Sequence, residues 1–92
     1  MNSANKKRLL RKMLDRSLVN RHSLVECNVQ EDGAAKETTV IDLNHVVEEA
    51  GEINFIGRDV ASGNRRVLNF RSVVRVDGQP LESLYQQLKR RR

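Results

Sequence analysis

The chain has 92 residues, 38% hydrophobic and 32% charged, and its 17 Lys and Arg outnumber 12 Asp and Glu to give a formal net charge of +5. At this size folding buries about two thirds of the unfolded surface, so one modest core and a single domain over 1–92 are expected. No apolar run approaches the roughly 18 residues of a membrane span, there is one cysteine and no Cys-x-x-Cys, and these features exclude an integral membrane helix, an internal disulfide and a zinc ribbon.

The first predicted element is a helix over about 5–19. Leu9, Leu10, Met13, Leu14 and Leu18 form one apolar stripe at the helical period, and Lys7, Arg8, Arg11, Lys12, Asp15 and Arg16 fill the other arc. Ser3 or Asn5 is the expected N-cap and Asn20 the expected stop. A basic first turn opposes the helix dipole, which points to contact rather than helix stability as the use of these charges.

The period then changes to two. A strand over 23–30 carries Val25, Cys27 and Val29 on one phase, and the Glu31-Asp32-Gly33-Ala34 turn leads to a β-branched strand over 36–43. The segment 45–50 reads either as a helical turn or as a curving extension of that strand. A third strand covers 52–58, with Ile53 and Phe55 on one face. After the Ala61-Ser62-Gly63-Asn64 turn, 65–76 reads as one long strand whose inward phase is lost near Val73-Val74, at a bulge or bend. Gly78-Gln79-Pro80 ends it. Pro80 suits the first position of a closing helix over about 80–90, with Leu81, Leu84, Tyr85 and Leu88 on one face and Lys89-Arg90-Arg91-Arg92 at the C-terminal end of the dipole.

Charge falls in blocks. Residues 1–22 hold Lys6, Lys7, Arg8, Arg11, Lys12, Arg16 and Arg21 against Asp15 alone; residues 23–57 hold Lys36 against Glu26, Glu31, Asp32, Glu37, Asp42, Glu48, Glu49 and Glu52; and 58–92 are basic again. Two basic ends around an acidic middle predict a dipolar surface that presents its ends to a polyanion. The fold class that follows is α+β: an N-terminal helix, a strongly bent antiparallel sheet of four or five strands curling into a small barrel of the SH3-like or Sm-like kind, and a short C-terminal helix.

Within that plan, Arg66-Val67-Leu68-Asn69-Phe70-Arg71-Ser72-Val73 resembles the closing Arg-x-Phe-x-Leu-Asp-Arg-Ile stretch of the WYL domain. Ile53-Asn54-Phe55 falls where that family has Trp-Tyr-Leu, and Ser72 stands at its second Arg. The resemblance spans roughly residues 9–76 and implies a ligand- or nucleic-acid-sensing part of a bacterial transcription regulator or defence system. Of that family's contact residues only Arg66 carries over. The same helix-then-barrel plan is similar to the bacterial Sm-like RNA chaperones and to the Sm-like inhibitor of the termination factor Rho.

Catalysis is not expected. His45-Val46-Val47-Glu48-Glu49 lacks the second His of a zinc-protease helix and leaves a metal site short of ligands, with His45 expected at a strand end and Glu48 and Glu49 in water. Cys27 falls on an apolar phase, as a small buried hydrophobe does, and the five glycines read as isolated turn residues rather than a phosphate loop. Arg58, Arg65, Arg66, Arg71 and Arg75 read as a cluster across two strands and a turn, with guanidinium forks suited to phosphate, although Arg66 and Arg71 should face opposite ways on a regular strand. Phe55, Phe70 and Tyr85 all lie on apolar phases, so no aromatic is left over to stack a base. The expected function is therefore a non-catalytic, cofactor-free regulatory domain in transcription or RNA regulation. It contacts the nucleic-acid backbone, RNA or DNA, through Lys7, Arg8, Arg11, Lys12, Arg58, Arg65, Arg66 and Arg75. The alternative is an adaptor or inhibitor whose acidic middle binds a basic nucleic-acid-processing protein. A charged N-terminus predicts no signal peptide and a cytoplasmic location; no membrane partner is expected, and self-association is compatible with the pattern.

Overall fold

The computed structural model describes residues 1–30, 33 and 35–90. Helix α1 (Ser3–Asp15) leads into an antiparallel sheet of β1 (Leu24–Val29), β2 (Glu37–Glu49), β3 (Glu52–Asp59), β4 (Arg65–Asn69), β5 (Val73–Val76) and β6 (Gln79–Pro80), and α2 (Leu81–Arg90) follows. The sheet order is β4-β3-β2-β1-β5-β6, an open order of six strands rather than the expected four or five. The long strand expected over 65–76 is two strands separated by a 3-10 turn, Phe70–Ser72. Asn69 makes that break: its Oδ1 accepts from the Arg71 N–H at 3.1 Å and its carbonyl accepts from the Ser72 hydroxyl at 2.7 Å. Such local side-chain bonds compete with the ladder and turn the chain.

Helix α1 starts and stops two to four residues earlier than its apolar period indicated. Asn2 is the cap, its side chain accepting from the Asn5 N–H at 2.8 Å, in place of Ser3 or Asn5. At the other end Ser17 takes φ +57°, with the Ser17 N–H bonded to the Leu14 carbonyl at 3.1 Å and the Leu18 N–H to the Met13 carbonyl at 2.7 Å. This paired closure satisfies the last carbonyls and ends the helix well before Asn20, so Leu18 leaves the apolar stripe and stands exposed.

Strand β2 runs through 45–50 without a helical turn. It pairs with β1 from Glu37↔Val29 to Asp42↔Leu24 and with β3 from Ile41↔Asp59 to Glu49↔Glu52, skipping Asn44 as a bulge between Leu43 and His45. Gly57 faces that bulge. A Cβ there would lie 2.3 Å from the Asp42 carbonyl oxygen, so this glycine serves a close backbone approach inside β3 and is not a turn residue. Two-residue turns with both central residues in the left-handed region join β2 to β3 (Ala50 φ +52°, Gly51 φ +79°) and β5 to β6 (Asp77 φ +50°, Gly78 φ +81°). Pro80 ends β6 and α2 begins one residue later. In the turn between β1 and β2, Gly33 has φ +75°, and Glu31, Asp32 and Ala34 lie outside the described residues, as do Arg91 and Arg92.

One face of the sheet carries the core. Val25, Cys27, Ile41, Leu43, Ile53, Phe55, Leu68, Phe70, Val73 and Val76 pack with Leu9, Leu10 and Met13 of α1 and Leu81 of α2, and Leu84, Tyr85 and Leu88 lie against this cluster half-buried. Both helices therefore cover the same face. The opposite face presents Arg58, Arg65 and Val67, all exposed, and Leu24 on β1.

Candidate nucleic-acid interface

The fold brings part of the acidic middle of the chain against its basic ends. Arg75 lies opposite Glu26 in the β1–β5 register and donates to it at 2.5 Å. Arg11 of α1 is ion-paired with Glu48, Arg71 with Glu52 at 2.5 Å, and Arg66 with Asp59 at 3.7 Å. Three of the arginines expected to cluster, Arg66, Arg71 and Arg75, are thus each held by a carboxylate, as is Arg11. They also do not cluster, because β5 carries Arg75 to the far side of β1 from β4.

Arg71 is fixed more firmly than an isolated surface residue. Its guanidinium lies over the Phe70 ring, 4.6 Å from the centroid, and also donates to Asn69 Oδ1 at 3.1 Å. The Arg71 bond holds the Glu52 carboxyl below its ordinary value, and Glu52 in turn raises the arginine. Lys6 and Lys7 turn inward along the same edge. Lys6 Nζ donates to the Arg71 carbonyl at 2.8 Å, with burial lowering its pKa, and Lys7 Nζ sits 5.9 Å from the Phe70 centroid. Lys7 is consequently half-buried beside the core edge rather than on the outer arc of the helix.

Among the cations with no ion pair in the described residues, two groups line cavities. At the outer corner of the sheet, Arg58 and Arg65 are direct partners in the β3–β4 register and both are exposed. Arg58 Nη1 is steadied by the Gly63 carbonyl at 2.7 Å, in a turn that Asp59 organises by accepting from the Ala61 N–H at 2.8 Å. Arg58, Arg65 and Arg21 line a cavity of about 280 Å³ whose floor includes Ile56 and Gly57. His22 and Asp42 also line it, bonded to each other through Nδ1 and Oδ1 at 2.9 Å. The second group is Arg8 and Lys12 of α1 with Lys89 of α2, along the groove between the helices.

Arg21 has no periodic or motif signal in the sequence. It reaches the corner because the His22 N–H bonds the Leu43 carbonyl at 2.7 Å, tying the segment after α1 to the bulged stretch of β2. The bulge itself was signalled by Gly57, a glycine inside an apolar run.

The groups weighed for chemistry lie apart. Cys27 is fully buried in the core, where burial raises its thiol pKa. His45 is exposed within β2, opposite Ile56, rather than at a strand end, and Glu48 is occupied by Arg11. Among the described residues no three His, Cys, Asp or Glu side chains gather as metal ligands, and no helix is long and apolar enough to cross a membrane. Comparison with known proteins gives no match to a family model, a curated protein or a solved structure.

Proposed function

We propose that this chain is a non-catalytic regulatory domain that associates with nucleic acid through backbone phosphates, in transcription or RNA regulation. The observation that carries the reading is the Arg58–Arg65 pair. Like charges directly opposite on neighbouring strands weaken a sheet, and here the pair stands exposed beside Arg21 without an ion pair among the described residues, the Asp42 carboxylate opposite Arg58 on β2 being bonded to His22 Nδ1 at 2.9 Å. A phosphate between the two guanidinium forks removes that repulsion and takes charge-assisted hydrogen bonds from both. The companion reading, a small Sm-like or SH3-like barrel akin to the WYL domain, draws support from the return of β5 after the 3-10 turn to pair with β1, within a sheet whose order is open. The adaptor reading loses part of its acidic surface, since Glu26, Glu48 and Glu52 are engaged by arginines.

The test is fluorescence anisotropy with labelled single-stranded RNA, single-stranded DNA and duplex DNA over a range of salt. Three phosphate contacts, from Arg21, Arg58 and Arg65, give a slope of log affinity against log salt of about −2 on single strands, whereas engagement of all eight basic residues picked from the sequence gives about −6. Arg58→Glu with Arg65→Glu should abolish binding. No binding at low salt, or unchanged binding by that double variant, overturns the reading.

A further inference from the structure

The groove between α1 and α2 is a second surface with a different chemistry. Its rim is Arg8, Lys12 and Lys89, and its floor is Leu9, Leu88 and Tyr85. No acidic residue lines it. The rim cations have no ion pair among the described residues, and the Tyr85 hydroxyl has no hydrogen-bond partner there. Arg8 and Lys12 stand four residues apart on one helical column, an arrangement of like charges that weakens an isolated helix. Acidic residues are missing from the first turn of α1, and of these charges only Lys12, in the last turn, stands where the dipole favours a cation. Arg8 therefore does not serve the helix that carries it.

The shape of the groove selects among anions. Its volume is about 130 Å³, close to the roughly 150 Å³ of a cavity that admits a benzene-sized group, so the floor takes one aliphatic or aromatic side chain. A phosphate backbone has nothing to place on Leu9 and Leu88. An amphipathic helix that carries carboxylates around an apolar anchor does: the anchor enters between Leu9 and Leu88, and the carboxylates meet Arg8, Lys12, Lys89 and the Tyr85 hydroxyl. We infer that this groove docks an acidic amphipathic segment of a partner protein. The domain then holds nucleic acid at the outer sheet corner and a protein at its helical face. This inference stands independently of the nucleic-acid reading, since it uses none of Arg21, Arg58 or Arg65.

The experiment uses the full chain and a labelled synthetic peptide of Glu with Leu at helical spacing, compared with the same peptide carrying Ala for Leu. Anisotropy measures affinity, and chemical-shift mapping on the unlabelled complex locates it. The expected result is binding that shifts Leu9, Tyr85 and Leu88 resonances, and that weakens about tenfold when Leu is replaced in the peptide or when Arg8→Gln, Lys12→Gln and Lys89→Gln are combined in the protein. The Arg58→Glu, Arg65→Glu variant should bind the peptide as the unaltered chain does. Because the mapping needs no variant, misfolding of a substituted protein does not blunt the test. Equal affinity for the Leu and Ala peptides, shifts elsewhere, no binding, or loss of oligonucleotide rather than peptide binding in the triple Gln variant would each overturn the inference.

Discussion

Gly57→Ala tests whether the bulge in β2 is held by a steric requirement of β3. The added methyl carbon would lie 2.3 Å from the Asp42 carbonyl oxygen, 3.0 Å from its carbonyl carbon and 3.1 Å from Leu43 Cα. All three are backbone atoms, so no side chain can swing aside. Relief requires β2 and β3 to part by about 1 Å, a large fraction of the roughly 4.8 Å strand spacing, and stretches the ladder near Leu43↔Gly57. Overpacking of this kind costs about 1–3 kcal/mol. One or two ladder bonds add about 1 kcal/mol each, and the gain of an alanine over a glycine in extended chain offsets only about 0.5–1 kcal/mol. The net is a loss of about 3 kcal/mol, a serious fraction of the stability of so small a domain. At about 4–8 °C for each kcal/mol the melting temperature should fall by about 12–24 °C, read by circular dichroism. Because Gly57 shares its cavity with Arg58 and Arg65, oligonucleotide affinity should weaken in the same variant below its melting point. A melting temperature within about 2 °C of the unaltered chain would show that the close approach is not a constraint and refute the argument.

Ala50→Asn should stabilise, because Ala50 holds φ +52° beside Gly51 in the β2–β3 turn and a side-chain amide tolerates that region better than a methyl group; the expected gain is about 0.5–1 kcal/mol, visible as a rise in melting temperature of several degrees. The Glu52 carboxyl, held below its ordinary value by Arg71, contributes stability above the unfolded carboxylate value and loses it as pH falls through the folded one. An NMR titration should therefore find Glu52 titrating below the ordinary glutamate value, and Arg71→Gln should move it back up; an ordinary value in the unaltered chain would show that the Arg71 bond does not persist in solution.

Much of the architecture was legible because periodicity is a local signal. The stripe of Leu9, Leu10 and Met13, the alternation of Val25 and Cys27, and the face of Leu81, Leu84, Tyr85 and Leu88 each mark an element whose burial the structure repeats. The misread boundaries have local causes of another kind. Ser17 in the left-handed region ends α1, Asn69 bonds the chain out of the ladder at Phe70, and Asp77-Gly78 makes a two-residue turn that adds β6. Asp77-Gly78 is a hairpin signal as well as a strand stop. The candidate site was legible in residue type and not in arrangement. Arg65 and Arg58 meet only through the β3–β4 register, and Arg75 finds Glu26 across 49 residues of sequence, so block charge could not foretell which cations remain free.

That pairing changes what the net charge means. Carboxylates in the middle of the chain hold Arg11, Arg71 and Arg75, and Asp59 holds Arg66, so these arginines offer a polyanion less than their number suggests: each must give up a partner before it meets a phosphate. The cations left over include one set at a polar corner and another at a groove with an apolar floor, two sites of different chemistry. A domain using all of its positive charge would bind any polyanion at any orientation. One using only Arg21, Arg58 and Arg65 for phosphate has a defined edge to present and a shallow salt dependence. The helical groove is then free for a ligand that the sheet corner cannot recognise, because recognition there depends on filling the space between Leu9 and Leu88 as well as on charge.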